Sequence, residues 1–436
     1  MRIVLFLLLI LLSGFSFGQV EIYFPPAQDQ WETQSPEELG WCTDSISALL
    51  NFLDKNDTRA FLLLKDGRIV LEEYFHNFEQ DSFWYWASAG KTLTAFLTGL
   101  SQEYGFLDIQ DPTSEYLGNW TIVPEEKEDL ITIWHQLTMT TGLNDGTNNL
   151  DCTDPTCLEY LADAGTRWSY HNAPYTLISQ VIEESTHQNY NSFTRNELMN
   201  KIGGSGLWVQ LEYNRVFFSS ARTMARFGTL ILANGEWDGV HIMEDKEYFR
   251  SMITPSQDIN ESYGYLWWLN GQDRIMVPGL QNVFNQSLCP PAPDDMVAAM
   301  GKNSQLLNVV PSEGLVMVRM GESPSELPVS FDLQNGIWEY LNDIICLPSN
   351  QEEDMKTSSS IYPNPVIDVI RLEVEPNVIS GRVEVYNLQG QLIFRQSYNS
   401  IQPNVTLPIE MNAGVYLISL VDQDGIHLFQ EKFQKI

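Results

Sequence analysis

Ser88-Ala89-Gly90-Lys91 places a hydroxyl and an amine three residues apart, just ahead of a run in which Leu93, Phe96, Leu97 and Leu100 repeat at helical spacing. At a helix start the two side chains share a face, so the amine can take the serine proton while the helix dipole favours developing negative charge. Serine and lysine are common, and a chain of this length holds about one or two such pairs by chance. Two further stretches give the pair company. Arg167-Trp168-Ser169-Tyr170-His171-Asn172 runs into the helix start Ala173-Pro174. A phenol there, close to two cations, could lose its proton and act as a base. Equally, Asn172 reads as an N-cap ahead of Pro174, and Tyr170 as a buried loop aromatic. Ala298-Ala299-Met300-Gly301-Lys302-Asn303-Ser304-Gln305 reads as a turn joining two sheet strands.

The elements that must position these residues follow from periodicity. Ile46, Leu49, Leu50 and Leu53 mark one face of a helix over 44–53, and 60–64 with 68–75 read as a hairpin around Asp66-Gly67. Helical patterns return over 176–184 and 221–233. A strand is expected over 314–319 and a closing helix over 333–345. Strands at both ends with helices between predict an α+β body: an antiparallel sheet flanked by helices, with a helical subdomain. After Cys346 the stretch 349–360 is polar and unpatterned, a linker. Short strands with turn signals beyond it predict a small C-terminal β-sandwich.

Charge and cysteines bound the partners. The 436 residues carry 57 Asp plus Glu against 24 Lys plus Arg, and a formal charge of −33 repels phosphate backbones, which argues against nucleic acid. Residues 1–18 have the charged start, short apolar run and small residues near Gly18 of a signal peptide, and no later stretch approaches a membrane helix. In an exported chain the five cysteines can oxidise, one of them without a partner inside the molecule. Cys152 and Cys157 bracket a turn-rich segment that a local disulfide would hold shut. Nothing in the spacing points to a metal site, and no cofactor is implied.

The order and spacing of the three chemical stretches resemble the serine β-lactamase, DD-peptidase and esterase superfamily. Trp134-His135-Gln136-Leu137-Thr138-Met139-Thr140-Thr141-Gly142-Leu143, the helix from Arg222 and the aromatic stretch Tyr263 to Trp268 are similar to further segments of that family, and the likeness runs over residues 35–346. It implies Ser88 as nucleophile, Lys91 as the group that lowers its proton affinity, and Tyr170 as acid or base for the leaving group. Asn172 would orient Lys91 or the substrate. The backbone N–H groups of Ser88 and Lys302 would form the oxyanion hole, and Ala299, Gly301 and Gln305 would line the substrate. The family's third motif opens on a cation that holds a substrate carboxylate; Ala299 stands there, so efficient β-lactamase activity is not expected. Ala-x-Gly followed by glutamine resembles the esterase and aminohexanoate-oligomer hydrolase branch, with Ser304 where that branch has a second glycine and His171 where a small residue is customary. The fold also implies that Cys42 and Cys346 pair, since opening and closing helices lie side by side.

Tyr362-Pro363-Asn364-Pro365, Gly390, Ala413-Gly414-Val415-Tyr416-Leu417 and Glu431 to Lys435 resemble the sorting domain read by the type IX secretion machinery. The expected organisation is a signal peptide over 1–18, a hydrolase domain over 19–348, a linker over 349–360 and a sorting domain over 361–436. The chain would be secreted or attached to the cell surface, by way of the periplasm and outer membrane. Its substrate would be a small or peptide-like ester or amide. A non-catalytic surface receptor on a hydrolase-like scaffold is the alternative.

Overall fold

The computed structural model describes residues 21–27, 30–147, 149–323 and 331–346, and beyond them the segments 360–362, 369–373, 381–387, 392–398, 404–406, 411–412, 414–422 and 427–435. The expected signal peptide and all but Ser360 of the expected linker lie outside the described residues. The chain divides into two compact units, the boundary falling after Cys346.

In the first unit, helix α1 (Ile46–Lys55) leads into the hairpin of β1 (Thr58–Lys65) and β2 (Arg68–Tyr74). Much later come β3 (Trp268–Leu269), β4 (Val297–Gly301), β5 (Gln305–Val310) and β6 (Leu315–Gly321). All six join one antiparallel sheet in the order β2-β1-β6-β5-β4-β3, so the first strand pairs with the last, Leu63 opposite Met317. Every residue of β4, β5 and β6 is buried, because helices cover both faces. Sheets covered on both sides read as continuous apolar runs instead of alternating ones.

On one face lies α4 (Ala221–Leu232), whose Gly228 sits so close to the sheet that a Cβ would fall 2.5 Å from Val316 and 2.7 Å from Leu307. On the other lie α1 and α5 (Phe331–Ile345), joined through the Phe52 and Tyr340 rings 5.2 Å apart. The apolar stripe of α5, Leu333, Ile337, Trp338, Leu341 and Ile344, is buried. Trp338 donates from Nε1 to Asn308 Oδ1 at 2.9 Å, which pairs two buried polar groups. Truncating Leu341 to alanine at this seam costs about 2–5 kcal/mol.

Between β2 and β3 the chain builds the helical part, with α2 (Lys91–Glu103) and α3 (Asn172–Thr186) packed together. The aromatic run before Ser88 is a strand, Trp84–Tyr85, in a small sheet with Asn214–Ser219 and Gly206–Leu211. Cys42 is bonded to Cys346 and Cys152 to Cys157, while Cys289 is free and buried. No described helix is long and apolar enough to cross a membrane.

The second unit contains two antiparallel sheets, one of Ser360–Tyr362, Val369–Glu373 and Asn404–Thr406, the other of Leu392–Tyr398, Gly381–Asn387, Gly414–Asp422 and His427–Lys435. Val383, Val385, Ile418, Val421 and Phe433 are buried in it. The Pro363-Asn364-Pro365, Gly390 and Ala413 positions of the expected sorting motif lie outside the described residues.

Candidate active site

Ser88 does not sit on the α-helix itself but on a 3-10 turn, Ala87–Gly90, that runs straight into α2 at Lys91. In a 3-10 turn residues three apart eclipse one another. Lys91 Nζ therefore comes to 3.0 Å from Ser88 Oγ. The turn is entered through Ala87 at φ 48°, a left-handed conformation that costs an alanine energy. Its surroundings hold it there: the Trp86 amide donates to Phe217 O at 2.8 Å, and the buried Trp86 indole donates to Ser219 Oγ at 2.8 Å.

From the other side comes α3. It begins at Asn172, with His171 in the capping position, so Asn172 is not the cap that its place before Pro174 suggested. Its amide is turned inward: Oδ1 accepts from Lys91 at 2.8 Å, and Nδ2 donates to Asp151 Oδ1 at 2.8 Å. The helix start is pinned by Gln136, which donates to Pro174 O at 2.7 Å, and the strand-like approach to Tyr170 by Ser169 N donating to Met139 O at 2.8 Å. Tyr170 stacks on Trp268 with centroids 5.9 Å apart and meets Tyr263 edge-on at 6.3 Å. Asp151 carried no signal in the sequence, since an acid in an acidic turn looks like any other.

The electrostatics are set by burial. Lys91 is 3% exposed. Desolvation pulls its ammonium down to about 7 from 10.5, with the Asp151 charge opposing. Its Nζ lies 4.2 Å from the Tyr175 ring centroid and 5.0 Å from that of Tyr170, faces that favour a cation weakly. Tyr170 moves the other way: burial raises its phenol well above the usual range, and the hydrogen bond with Ser88 only partly offsets this. The phenol thus stays protonated at neutral pH, where the sequence suggested that it could lose its proton. Among the described residues one cation, Lys91, lies against its ring. His171 is buried, and desolvation lowers it to about 4, so it is a neutral packed side chain with Nδ1 unpartnered among the described residues.

The third element closes the site. Gly301, the last residue of β4, lies against the serine turn so tightly that a Cβ would stand 2.3 Å from Trp86 O, 2.9 Å from Ala89 N and 3.1 Å from Ser88 N. Lys302 follows, and the β4–β5 turn then passes through Asn303 (φ 61°) and Ser304 (φ 54°). Both are left-handed, a conformation that glycine adopts most readily. Arg319 pays the conformational cost: fully buried, it donates to Asn303 O at 2.7 Å, Ser304 O at 3.0 Å and Asn56 O at 2.7 Å. Asn303 Nδ2 reaches Tyr85 Oη at 2.7 Å, tying the turn to the strand ahead of Ser88. Gln305 and Ala299 were expected at the substrate. Both are fully buried, and the Gln305 amide is spent on Gly321, donating to its carbonyl at 2.6 Å and accepting from its N–H at 3.0 Å. The structure brings Ser88, Lys91, Tyr170, Asn172 and Gly301 together and leaves Ala299 and Gln305 in the sheet interior. Among the described residues no cluster of His, Cys, Asp and Glu could hold a metal ion.

Comparison with known proteins agrees with this geometry. The beta-lactamase family model matches residues 56–328, and the model of the secretion system C-terminal sorting domain matches residues 360–433. A Bacillus anthracis protein assigned as a 6-aminohexanoate-dimer hydrolase superposes with a TM-score of 0.56 at 17% identity, covering 74% of this chain and 91% of that one. A family VIII carboxylesterase (TM-score 0.52, 10% identity, 69% and 97% covered) and simvastatin synthase from Aspergillus terreus (0.52, 13%, 69% and 98%) share the fold as well. A curated relative, an ulvan lyase of Nonlabens ulvanivorans, is 28% identical over 68 residues, which is 16% of this chain and 12% of that protein. The sorting domain marks handling by type IX secretion, to the outer membrane or the extracellular space. With a serine turn, a buried lysine and a closing sheet hairpin in one place, and the family model spanning more than half of its length, the chain belongs to the beta-lactamase family of hydrolases.

Proposed function

We propose that this exported protein is a serine hydrolase that cleaves an ester or amide bond through an acyl-enzyme on Ser88. The observation that carries the reading is the buried Lys91 amine, held between Ser88 Oγ at 3.0 Å and Asn172 Oδ1 at 2.8 Å with no carboxylate of the described residues bonded to it directly. A lysine lowered to about 7 is part neutral at physiological pH and can accept the serine proton. As the Ser88 Oγ–carbonyl carbon bond forms, the proton passes to Lys91, and the oxyanion faces the backbone N–H groups of Ser88 and Lys302. Tyr170, protonated and hydrogen-bonded to Ser88, donates to the departing oxygen or nitrogen as the bond to it breaks. Lys91 then returns the proton to Tyr170. Water attacks the ester along the same path in reverse, giving up one proton through the pair and restoring the Ser88 hydroxyl.

Ala299 in place of a cation removes the partner for a substrate carboxylate, which favours esters or amides without one at that position. The names borne by proteins of the same fold include a carboxylesterase and an aminohexanoate-dimer hydrolase, consistent with either bond. Mass spectrometry after exposure to a fluorophosphonate tests the reading: the adduct is expected on Ser88, and Ser88→Ala is expected to lose both labelling and hydrolysis while keeping its fold, since Ser88 makes no capping bond to α2. Hydrolysis retained by the purified variant would rule out this nucleophile.

A further inference from the structure

The Asn172 side chain bridges two partners of different kind. An amide offers one acceptor and one donor end of nearly the same shape, so its orientation is decided by what surrounds it. Lys91 alone cannot decide it. A charged ammonium accepts nothing and demands the oxygen end, but a neutral amine has a lone pair that would accept from the NH2 end equally well. In that inverted arrangement the lone pair is tied to Asn172 and is lost to the Ser88 proton. Asp151 breaks the tie, because an ionised carboxylate only accepts. With Nδ2 committed to Asp151 Oδ1 at 2.8 Å, Oδ1 must face Lys91, and the amine's lone pair is left for Ser88.

Asp151 is itself held firmly. Its amide donates to Asn149 Oδ1 at 3.1 Å, the neighbouring Leu150 carbonyl accepts from Ala173 N at 3.0 Å, and Cys152 beside it is bonded to Cys157. Beyond, Tyr213 Oη donates to Asp154 Oδ2 at 2.7 Å, which fastens the far side of the same small loop. The segment Leu150-Asp151 thus lies on the start of α3 by one backbone bond and one side-chain bond, and the disulfide loop follows it directly.

We propose that Asp151, immediately ahead of the Cys152–Cys157 loop, is a positioning residue that fixes the orientation of Asn172 and thereby frees the Lys91 lone pair for Ser88. This rests on the reading of Ser88 and Lys91 as the reacting pair. On titration the field of Asp151 and the Asn172 oxygen both favour the charged ammonium, since Asp151 is the charge that partly offsets the desolvation of Lys91. The other titratable groups facing Lys91 are Tyr170 and Tyr175, both kept protonated by burial, and neither changes charge near neutral pH.

The test is the rate of fluorophosphonate labelling at Ser88 as a function of pH, which requires no knowledge of the substrate. Asp151→Asn, which can present a donor to Asn172, is expected to label on the order of tenfold more slowly than the wild type, as expected for loss of a hydrogen bond to a charged group. Its midpoint of labelling against pH should move to lower pH, because both the lost charge and an inverted Asn172 favour neutral Lys91. Asp151→Glu keeps an acceptor-only group and should recover part of the rate. Cys152→Ser with Cys157→Ser, which releases the loop, should shift rate and midpoint in the same direction as Asp151→Asn. A slower Asp151→Asn with an unmoved midpoint would assign Asp151 a merely structural role, and wild-type rate and midpoint would remove it from the site altogether; either overturns the inference while leaving Ser88 as the nucleophile. A wild-type protein that is never labelled overturns the serine reading and this inference with it.

Discussion

Replacing Gly301 with alanine adds one methyl group at the point where the sheet meets the serine turn. Its φ lies outside the left-handed region, so alanine suits the backbone and the whole effect must come from the added atom. That atom would lie 2.3 Å from Trp86 O, about 1 Å inside the 3.4 Å at which ordinary contact begins. The neighbours are backbone atoms anchored by the Trp86 bonds to Phe217 and Ser219, so neither they nor a side-chain tip can swing aside. The hairpin must therefore back away by roughly 1 Å, taking the Lys302 N–H with it. A misplacement of that size costs about a hundredfold in rate, similar to loss of one oxyanion donor at about 10²- to 10³-fold. Overpacking costs about 1–3 kcal/mol of stability besides. Steady-state hydrolysis of a chromogenic ester with a thermal melt separates the two. We expect kcat to fall at least about a hundredfold, with a folded protein at the assay temperature. Wild-type kcat in a folded Gly301→Ala protein would refute the claim that this contact places the oxyanion donor.

Tyr170→Phe removes the proposed leaving-group acid, so the loss should approach about 10²- to 10⁴-fold for an amide and be much smaller for a p-nitrophenyl ester, whose leaving group needs no proton; equal losses on both would contradict the role. The acidic limb of kcat/KM should have its midpoint near 7, where Lys91 loses its proton, with activity rising as pH increases through it. The same shift has a sign for stability. Lys91 holds its proton less tightly folded than unfolded, so its burial penalty is full below about 7 and fades as pH rises toward 10.5. A Lys91→Met protein should therefore gain more over the wild type in Tm at pH 6 than at pH 10. Breaking Cys42–Cys346, which spans 304 residues, should lower unfolding stability by about 2–4 kcal/mol in chemical denaturation, whereas breaking Cys152–Cys157, which spans 5, should cost less globally and act through its loop.

The sequence placed Ser88, Lys91, Tyr170, Asn172 and Gly301 because each sits in a short motif whose spacing survives translation into geometry. The α+β class was legible for a related reason: strands at both ends with helices between leave few ways to cover one sheet. What escaped was everything decided at long range. Asp151 and Arg319 act on residues that their own neighbours in sequence do not announce. Gln305 was expected at the substrate from the resemblance of Ala-x-Gly and its following glutamine to one branch of the family, while in the fold its amide saturates the Gly321 backbone. The sequence left Tyr170 between a phenol that could lose its proton and a buried aromatic, and burial in the fold favours the protonated phenol. Ser304 was seen as a departure from a glycine, but the carbonyls around Arg319 on β6 that support its left-handed turn come from the hairpin and from Asn56 at the end of α1.

The bond between Cys42 and Cys346 also decides how the hydrolase bears tension. Tail and leading segment enter the first unit at the two ends of one covalent link. A pull on the tail against the front of the chain first peels away the strap ahead of Cys42, where Trp31 donates to Gly67 O at 2.7 Å and Thr33 bridges to Ile69. After that the load passes from Cys346 to Cys42 and stops. The sheet, the serine turn and the loop carrying Asp151 hang beside this path as an unloaded side loop. An anchor or an export engine gripping the C-terminal module can thus tug on the molecule without drawing the force through its active site, but only once the clip is oxidised; the reduced chain would lose α5 first and then β6, a central strand of the sheet.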